Sequence, residues 1–275
     1  AVIGAGNSVI ENVGVTRVKV TDDADATEGV SLNAYNANVD FNVEDTASNI
    51  ATNATNLTKA DDVDAVSGTV TVAQAEDVQD LTGYDASGSN YEITDDVDAV
   101  IGAGNSVIEN VGVTKVNVTD VADATEGVSL NAYNANVDFD VSDNVASISS
   151  VLLVSQLSTS TSHTSPGQNG PGGTSQMNPV INTNGFVTNL DDANSVIVTS
   201  GVATVSEADA IQEIAKYSGT ASDYDITDTA TALISAGDEV LNVAGVDIVT
   251  ASDTSVNANI GGDLAGFTAE IEFDV

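Results

Sequence analysis

The chain has no cysteine, no tryptophan, only three prolines and a single histidine. The absence of cysteine excludes disulfides and thiolate metal sites, which leaves packing and hard cations with oxygen ligands as sources of stability. The lone histidine, His163, lies in a stretch rich in serine, threonine, glycine and proline, where the orientation that a catalytic triad requires is not expected. No apolar run is long enough to cross a membrane.

Basic residues are also scarce. Five lysines and arginines stand against 42 aspartates and glutamates, which gives a formal net charge of −37. Nucleic acids and anionic lipids bind positive surfaces, so we predict neither as a partner. Repulsion between the carboxylates opposes compaction at low salt, and high ionic strength or divalent cations relieve it. A composition so acidic and so rich in Thr, Ser, Asn, Val and Ala is typical of secreted repeat proteins, and we expect an extracellular or cell-surface location.

What the chain does have is internal repetition. Residues 1–45 recur as residues 99–143 with 40 of 45 positions identical. A shift of 133 instead of 98 aligns the rest, so one copy carries an insertion, which lies at about residues 158–190. Copied units stack on one another and produce length or surface, whereas an active site needs one unique constellation of residues. We therefore predict a structural or adhesive protein and no enzyme.

Each copy contains a weaker half-repeat that sets the predicted fold. The pattern aromatic-x-Val/Ile-x-Asp starts at Phe41, Tyr91 and Phe139, with related strands about halfway between, which gives a coil of roughly 24 residues. Alternating strands such as 39–43 are followed by helical spacing of apolar residues. This order predicts an α/β repeat solenoid with parallel strands and short helices. The alternative is an array of immunoglobulin-like β-sandwiches, for which about 100 residues per unit is normal.

The repeat also predicts the organisation of the chain. Residues 1–45 form a partial unit, 46–143 a complete unit, and 144–275 a further unit or units interrupted by the inserted loop at about 158–190. The first residue corresponds to a position inside a helix and the last to a position inside a strand, so we expect a fragment of a longer array.

Two recurring segments carry a resemblance to known proteins. ITDTATALISAGDEVLNVAGV and GTVTVAQAEDVQDLTGYDASGSNYEITD resemble the repeats of giant surface proteins of marine bacteria and cyanobacteria, which are S-layer-like or type I-secreted adhesin-like. The resemblance implies an extracellular surface layer, sheath, filament or long adhesin. The calcium-binding nonapeptide of the RTX family, GGxGxDxUx, is absent, so its ligands cannot be assigned here. A virion appendage of a phage is the alternative function, and a polysaccharide-active solenoid enzyme is a further one.

An aspartate ends most of the predicted strands, and two roles are open for it. The side chain can cap the helix that follows, as Asp45-Thr-Ala and Asp228-Thr-Ala suggest, or it can join a ladder of carboxylates that binds cations. The strand-end positions are Asp22, Asp45, Asp95, Asp120, Asp143 and Asp228.

Calcium is the cation that we predict, because it takes several oxygen ligands. The candidate metal ligands are Asp22, Asp23, Asp25 and Glu28, with Asp120, Asp123 and Glu126 in the second copy. Asp61, Asp62 and Asp64 form a second acidic patch, which we interpret as a solvated turn. No catalytic and no cofactor-binding residues are predicted.

For partners, we expect self-association with copies of the chain or with neighbouring surface components. A cell-surface or glycan receptor is a further candidate. We interpret the insertion as a tolerated surface loop, and the alternative is a contact arm that touches a neighbouring subunit or a receptor.

Overall fold

The computed structural model describes residues 2–36, 38–159 and 189–274, the side chains of 153–159 excepted. Nearly all of the predicted insertion lies outside the described residues, and so does His163. Contacts between residues divide the chain into two compact units, one of residues 1–121 and 132–139 and one of residues 122–131 and 140–275. The repeat boundaries at residues 45 and 143 stay predictions.

The first unit alternates short helices and strands. In chain order its elements are α1 (Val2–Ala5), α2 (Asn7–Ile10), β1 (Val18–Lys19), α3 (Ala26–Asn33), β2 (Val39–Asp40), β3 (Asn42–Asp45), α4 (Ala47–Asn53), a 3-10 turn (Ala54–Asn56), β4 (Asp62–Ala65), β5 (Thr69–Val70), α5 (Val72–Gln79), β6 (Tyr91–Asp95), α6 (Val97–Ala103), α7 (Asn105–Ile108) and β7 (Val113–Ala122). The last residue of β7 belongs to the second unit.

The second unit repeats this alternation. Its elements are α8 (Ala124–Asn131), β8 (Val137–Asp143, whose first three residues belong to the first unit), α9 (Val145–Thr159), β9 (Ser195–Val198), β10 (Val202–Ala203), α10 (Val205–Gln212), a 3-10 turn (Gly219–Ala221), β11 (Tyr224–Asp228), α11 (Ala230–Ala236), α12 (Asp238–Leu241), β12 (Val246–Ala251), α13 (Ala258–Leu264) and β13 (Ile271–Glu272). Helices therefore separate most strands that pair.

Every strand pair whose register the structure describes is parallel, and the two members of each pair are consecutive in the chain. Asn42 of β3 lies opposite Asp62 of β4, and Val249 of β12 lies opposite Ile271 of β13. An α/β arrangement of small parallel sheets is thus confirmed. The immunoglobulin-like alternative is wrong for these residues, because its sheets are antiparallel.

Strand pairing also locates the predicted insertion. Asp140 of β8, the counterpart of Asn42 at a shift of 98, lies opposite Ser195. Ser195 is the counterpart of Asp62 at a shift of 133, so the two copies pair equivalent positions although their spacing along the chain differs. The extra residues therefore lie between β8 and β9, and the pairing accommodates them.

Helix α5 shows why these short segments form helices. Thr71 and Gln74 make a capping box, in which each side chain accepts a hydrogen bond from the backbone N–H of the other residue. Val72, Ala75 and Val78 then lie on one buried face of the helix. Helices of this length are marginal alone, so this packing stabilises them.

The strands bury alternate residues against those helices. Phe41 and Val43 are each 1% exposed, and Tyr91 and Ile93 of β6 are 1% and 0% exposed. The intervening residues, such as Asn42 and Glu44, point to the other face and are exposed. The predicted alternation of apolar and polar residues is therefore confirmed in these strands.

Candidate functional site

Aspartates at or near the strand ends have a structural role that links consecutive segments of the repeat. Six of them accept a hydrogen bond from the first backbone N–H of a helix that begins 19 to 23 residues earlier in the chain. The pairs are Ala26–Asp45 (3.0 Å), Val72–Asp95 (2.9 Å), Val97–Asp120 (2.8 Å), Ala124–Asp143 (3.2 Å), Val205–Asp228 (3.1 Å) and Ala230–Asp253 (2.6 Å). We call this contact the carboxylate staple. It satisfies an N–H that a helix cannot satisfy internally and places a negative charge at the positive end of the helix dipole.

The staple corrects our prediction that these aspartates cap the helix that follows them. The N-cap of α4 is Thr46, whose hydroxyl accepts from the N–H of Asn49, and Thr229 does the same for α11. Asp45 itself uses one oxygen on the earlier helix and the other on the N–H of Thr46, at 2.7 Å. One carboxylate therefore joins two neighbouring segments of the chain.

Hydrogen bonds together lower the pKa of Asp45 by more than burial raises it. Burial alone raises the pKa of Asp45, but hydrogen bonds from the N–H of Ala26, the amide of Asn49 and the N–H of Thr46 bring the pKa below its ordinary value. At Asp45 the staple is therefore made by the ionised carboxylate.

Helices α4 and α9 use a different acceptor. The first N–H of α4, that of Ala47, donates to the carbonyl of Ser67 at 2.8 Å, and that of Val145 in α9 donates to the carbonyl of Ser200 at 3.0 Å. A glycine with positive φ follows each serine, Gly68 at 98° and Gly201 at 113°, and this backbone conformation is one that side-chain-bearing residues rarely adopt. In both copies a serine carbonyl therefore takes the place of the aspartate carboxylate at this helix start.

Several of the predicted metal ligands are occupied as helix caps. Asp25 accepts from the N–H of Glu28 at 2.8 Å, and Asp123 accepts from the N–H groups of Thr125 and Glu126, both at 2.8 Å. Glu126 returns the contact by accepting from the N–H of Asp123. These bonds explain the acidic residues without a metal, so cation binding by this predicted set stays a prediction.

The remaining predicted ligands of the first copy are brought together. A small open pocket of about 110 Å³ is lined by Asp22, Asp23 and Glu28, and Lys19 lines it as well. Cation binding by these three carboxylates stays a prediction.

The carboxylates that converge most closely in the described part of the chain are Asp62, Asp64 and Asp85. One oxygen from each lies within 4.8 Å of the others, so the group could hold a metal ion. We call it the acidic cluster. Hard cations such as calcium take oxygen ligands at about 2.3–2.6 Å, and carboxylates of this kind are among the donors that they prefer.

Strand pairing builds the acidic cluster. Asp62 and Asp64 are alternate residues of β4 and therefore share one face, with the buried Val63 between them on the other. A parallel bridge joins Val63 to Tyr84, beside which the N–H of Asp85 donates to the carbonyl of Val63 at 3.0 Å. Asp85 thereby lies beside the two β4 carboxylates. Our interpretation of this acidic patch as a solvated turn is wrong for Asp62 and Asp64, because residues 62–65 form a strand.

Asp64 carries most of the electrostatic cost of this arrangement. Burial raises its pKa, and the carboxylates of Asp62, Asp85, Glu44 and Asp23 raise it further. One of its oxygens, Oδ1, is buried and has no hydrogen-bond partner among the described residues. An unpaired buried oxygen among like charges is destabilising in the ionised form and is relieved by a proton or a cation.

Gly88 leaves room for the Asp64 carboxylate. A Cβ added at Gly88 would lie 2.1 Å from Oδ1 of Asp64, closer than any real contact. Ser89 fixes the same loop, because its hydroxyl accepts from the N–H of Ala65 at 3.0 Å and donates to the carbonyl of Asp85 at 2.8 Å. The loop from Asp85 to Ser89 is therefore held against β4.

The second unit has the same backbone arrangement without the acids. Val196 of β9 bridges Tyr217 as Val63 bridges Tyr84, and Ser222 bonds Val198 as Ser89 bonds Ala65. At a shift of 133, the acidic cluster and Gly88 are replaced by Ser195, Ile197, Ser218 and Ala221. The first unit thus has a candidate metal centre, and the corresponding positions in the second have no carboxylate.

The repeated tyrosines are structural. Tyr91 accepts a hydrogen bond from the amide of Gln79 at 2.7 Å, and Tyr224 accepts one from Gln212 at 2.9 Å. Burial is the largest of the effects that raise the pKa of Tyr91 and of Tyr224, so both stay protonated. Both tyrosines are buried in the core.

Sequence reasoning missed the acidic cluster because Asp85 lies in a different segment of the chain from Asp62 and Asp64. The distinguishing signal was available in the sequence as a difference between the copies, since three aspartates of one copy become Ser, Ile and Ser in the other.

No family model, curated protein or solved structure matches this chain. In the described ranges, no helix is both long and apolar enough to cross a membrane.

Proposed function

We propose that the chain is a non-enzymatic structural or adhesive repeat protein that acts outside the cell, as part of a surface layer, sheath, filament or long adhesin. The observation that carries the proposal is the carboxylate staple, which recurs at six places with distances of 2.6–3.2 Å. A contact repeated in this way extends a scaffold, whereas catalysis needs a constellation that occurs once.

The fold that we propose for this function is an α/β solenoid with about 24 residues per coil. Its support is that equivalent elements recur at constant shifts in residue number. Helix α8 repeats α3 at a shift of 98, and α10 repeats α5 at a shift of 133. In a solenoid each coil contacts its neighbours, so that stability grows with the number of coils and no single site is indispensable.

Calcium is the cation that we propose for the acidic cluster. Three carboxylates with a buried unpaired oxygen on Asp64 would gain from a divalent charge, and calcium completes its six to eight ligands with water and backbone oxygens. An extracellular location supplies calcium at concentrations that weak sites can use. The cation would stabilise the first unit and leave the equivalent place in the second unaffected.

The proposal for the partner is self-association with other copies or with neighbouring surface components. A net charge of −37 disfavours nucleic acids and anionic membranes, so protein surfaces and glycans are the remaining classes. A chain of this charge associates when salt or divalent cations screen it.

Location tests the proposal most directly. Antibodies against the purified chain, applied to intact and to permeabilised cells of the producing organism, should label the surface equally in both samples. Labelling that requires permeabilisation would contradict an extracellular role, and labelling of purified virions instead of cells would assign the chain to a viral appendage. Cleavage of a polysaccharide by the pure protein, lost on replacing one acidic pair, would overturn the non-enzymatic interpretation.

A further inference from the structure

Three positions in the sequence begin the pattern Asn-x-Ser/Thr with a middle residue other than proline, namely Asn53, Asn56 and Asn117. In secreted proteins this pattern is the acceptor for N-linked sugars, and the acceptor asparagine lies on the surface. A chain rich in asparagine and threonine contains such patterns by chance. The surroundings of each asparagine therefore have to distinguish an acceptor from a coincidence.

Two of the three asparagines use their side-chain amides within the fold. Asn117 lies in β7, and its amide nitrogen donates to the carboxylate of Glu92 and to the hydroxyl of Thr94, both at 3.4 Å. Asn53 is the last residue of α4, and its amide nitrogen donates to the carbonyl of Asn49 at 2.9 Å. Both asparagines are only partly exposed. A sugar on either nitrogen would crowd these contacts.

Asn56 differs from both of them. It ends the 3-10 turn that follows α4, and both Asn56 and Thr58 are exposed. Among the described residues, neither of these two side chains makes a hydrogen bond. Leu57 between them is 1% exposed and anchors the turn in the core. The fold therefore holds the amide and the hydroxyl of this pattern at the surface and uses neither.

The second copy keeps the anchor and loses the pattern. At a shift of 133, Asn56-Leu-Thr becomes Asn189-Leu-Asp. Leu190 of the second copy is 0% exposed, so it is as deeply buried as Leu57. The leucine anchor therefore forms with either residue after it, and the turn does not require the hydroxyl of Thr58.

We infer that Asn56 is an acceptor for an N-linked sugar. The side-chain nitrogen of Asn56 bonds to the anomeric carbon of a sugar that is activated by a phosphate group. The bond between that carbon and the phosphate oxygen breaks, the phosphate leaves with the electron pair, and the amide nitrogen loses one proton.

Burial of the leucine sets the order of events. Because Leu57 is buried in the folded protein, the transferase binds this segment before it folds. The exposure of Asn56 and Thr58 then leaves the attached sugar in solvent, so the fold accommodates it without rearrangement. This inference rests on the extracellular location in the proposed function.

Mass spectrometry of peptides from the protein isolated from its producing organism tests the inference. The peptide that contains Asn56 should exceed its sequence mass by the mass of a sugar, and fragmentation that keeps the sugar attached should place it on Asn56. Asn56→Gln and Thr58→Ala should each abolish the increment, whereas Thr58→Ser keeps the hydroxyl and should retain it. Asp191→Thr should make Asn189 an additional acceptor.

Three results would contradict the inference. An unmodified Asn56 in the isolated protein would overturn it, as would a sugar that persists in Thr58→Ala. A sugar on Asn53 or Asn117 in place of Asn56 would show that exposure of the amide does not select the acceptor. A chain that antibodies label on intact cells but that carries no sugar would contradict this inference alone and leave the proposed function unaffected.

The same measurement identifies the sugar donor. When the synthesis of lipid-linked sugars is blocked, loss of the sugar from Asn56 assigns the donor to a lipid-linked diphosphate. Persistence of the sugar assigns it to a nucleotide-activated sugar. Either donor supplies the phosphate leaving group that the transfer requires.

Discussion

Strand β4 of the first unit and strand β9 of the second occupy equivalent places in the repeat and differ in what their exposed faces carry. Both bridge a tyrosine-containing loop through a central valine, Val63 in one case and Val196 in the other. Around the first strand three carboxylates converge within 4.8 Å, and around the second the same positions are Ser195, Ile197 and Ser218. One backbone arrangement therefore supports two different surfaces.

The comparison separates what the repeat needs from what it tolerates. The carboxylate staple is present in both units, for instance at Asp95 and Asp228, because every helix start has N–H groups that need an acceptor. The acidic cluster accepts no hydrogen bond from a helix start, and repulsion among its carboxylates destabilises the first unit. Features that serve the scaffold are kept in both copies, and the cluster is a feature of one copy.

The largest expected effect concerns calcium. With calcium at about 100 times its dissociation constant, a site that exists only in the folded state stabilises the protein by about 2.7 kcal/mol. Asp64→Asn should remove most of that gain, because it removes the charge of the ligand with the buried, unpaired oxygen. The measurement is thermal unfolding with calcium and with chelator at matched, high ionic strength.

The control for this experiment is Asp140→Asn, which gives an exposed strand residue of the second copy the identity of its counterpart Asn42. It should keep the calcium response. An unchanged unfolding temperature on adding calcium to the unmodified protein would exclude the acidic cluster as a calcium site.

The staple should matter equally in the two units. Asp95→Ala leaves the N–H of Val72 without its acceptor, and Asp228→Ala does the same to Val205, so each should destabilise the protein by about 1–2 kcal/mol. Denaturant unfolding of both variants measures this. A loss at one position and none at the other would mean that the shared contact is not a shared source of stability.

Grafting the acidic cluster onto the second unit is a stricter test. Ser195→Asp, Ile197→Asp, Ser218→Asp and Ala221→Gly together recreate the residues of the first unit on the equivalent backbone. Without calcium the grafted protein should lose on the order of 1 kcal/mol from like-charge repulsion and lost packing of the isoleucine. With calcium it should bind one ion more than the unmodified chain, as counted by titration calorimetry; an unchanged stoichiometry would show that the three carboxylates are insufficient.

The smallest expected effect is in the pH dependence without calcium. The folded-state pKa of Asp64 is raised, so its ionisation destabilises the fold and protonation relieves this as the pH falls from neutral through that raised pKa. The folded-state pKa of Asp45 is lowered, so its contribution is present above the ordinary carboxyl pKa of about 3.9 and is lost as the pH falls through the lowered value. Unfolding temperatures should therefore rise slightly on mild acidification before they fall, and Asp64→Asn should lack the rise.

The α/β character of the fold could be predicted from the sequence because local patterns determine it. Thr71 and Gln74 have the spacing of a capping box, and the alternation of apolar residues around Phe41 is that of a half-buried strand. Repetition then requires strands of the same type to meet in parallel. These signals lie within a few residues of one another, and the structure agrees with them.

The sites could not be predicted because they depend on register between distant segments. Whether Asp45 binds the helix after it or the helix before it is decided by how strands of consecutive segments pair. Asp85 joins Asp62 and Asp64 through a single bridge between Val63 and Tyr84, and nothing in the local sequence indicates that bridge. The difference in sequence between the two copies was the signal that could have identified the acidic cluster.

Hydrogen exchange with and without calcium tests the central claim, that one of two equivalent places in this repeat binds a cation. The account predicts that calcium slows amide exchange in residues 62–65 and 84–89 and leaves residues 195–198 and 217–222 unchanged. Slowing to the same extent in both sets, or in neither, would contradict it.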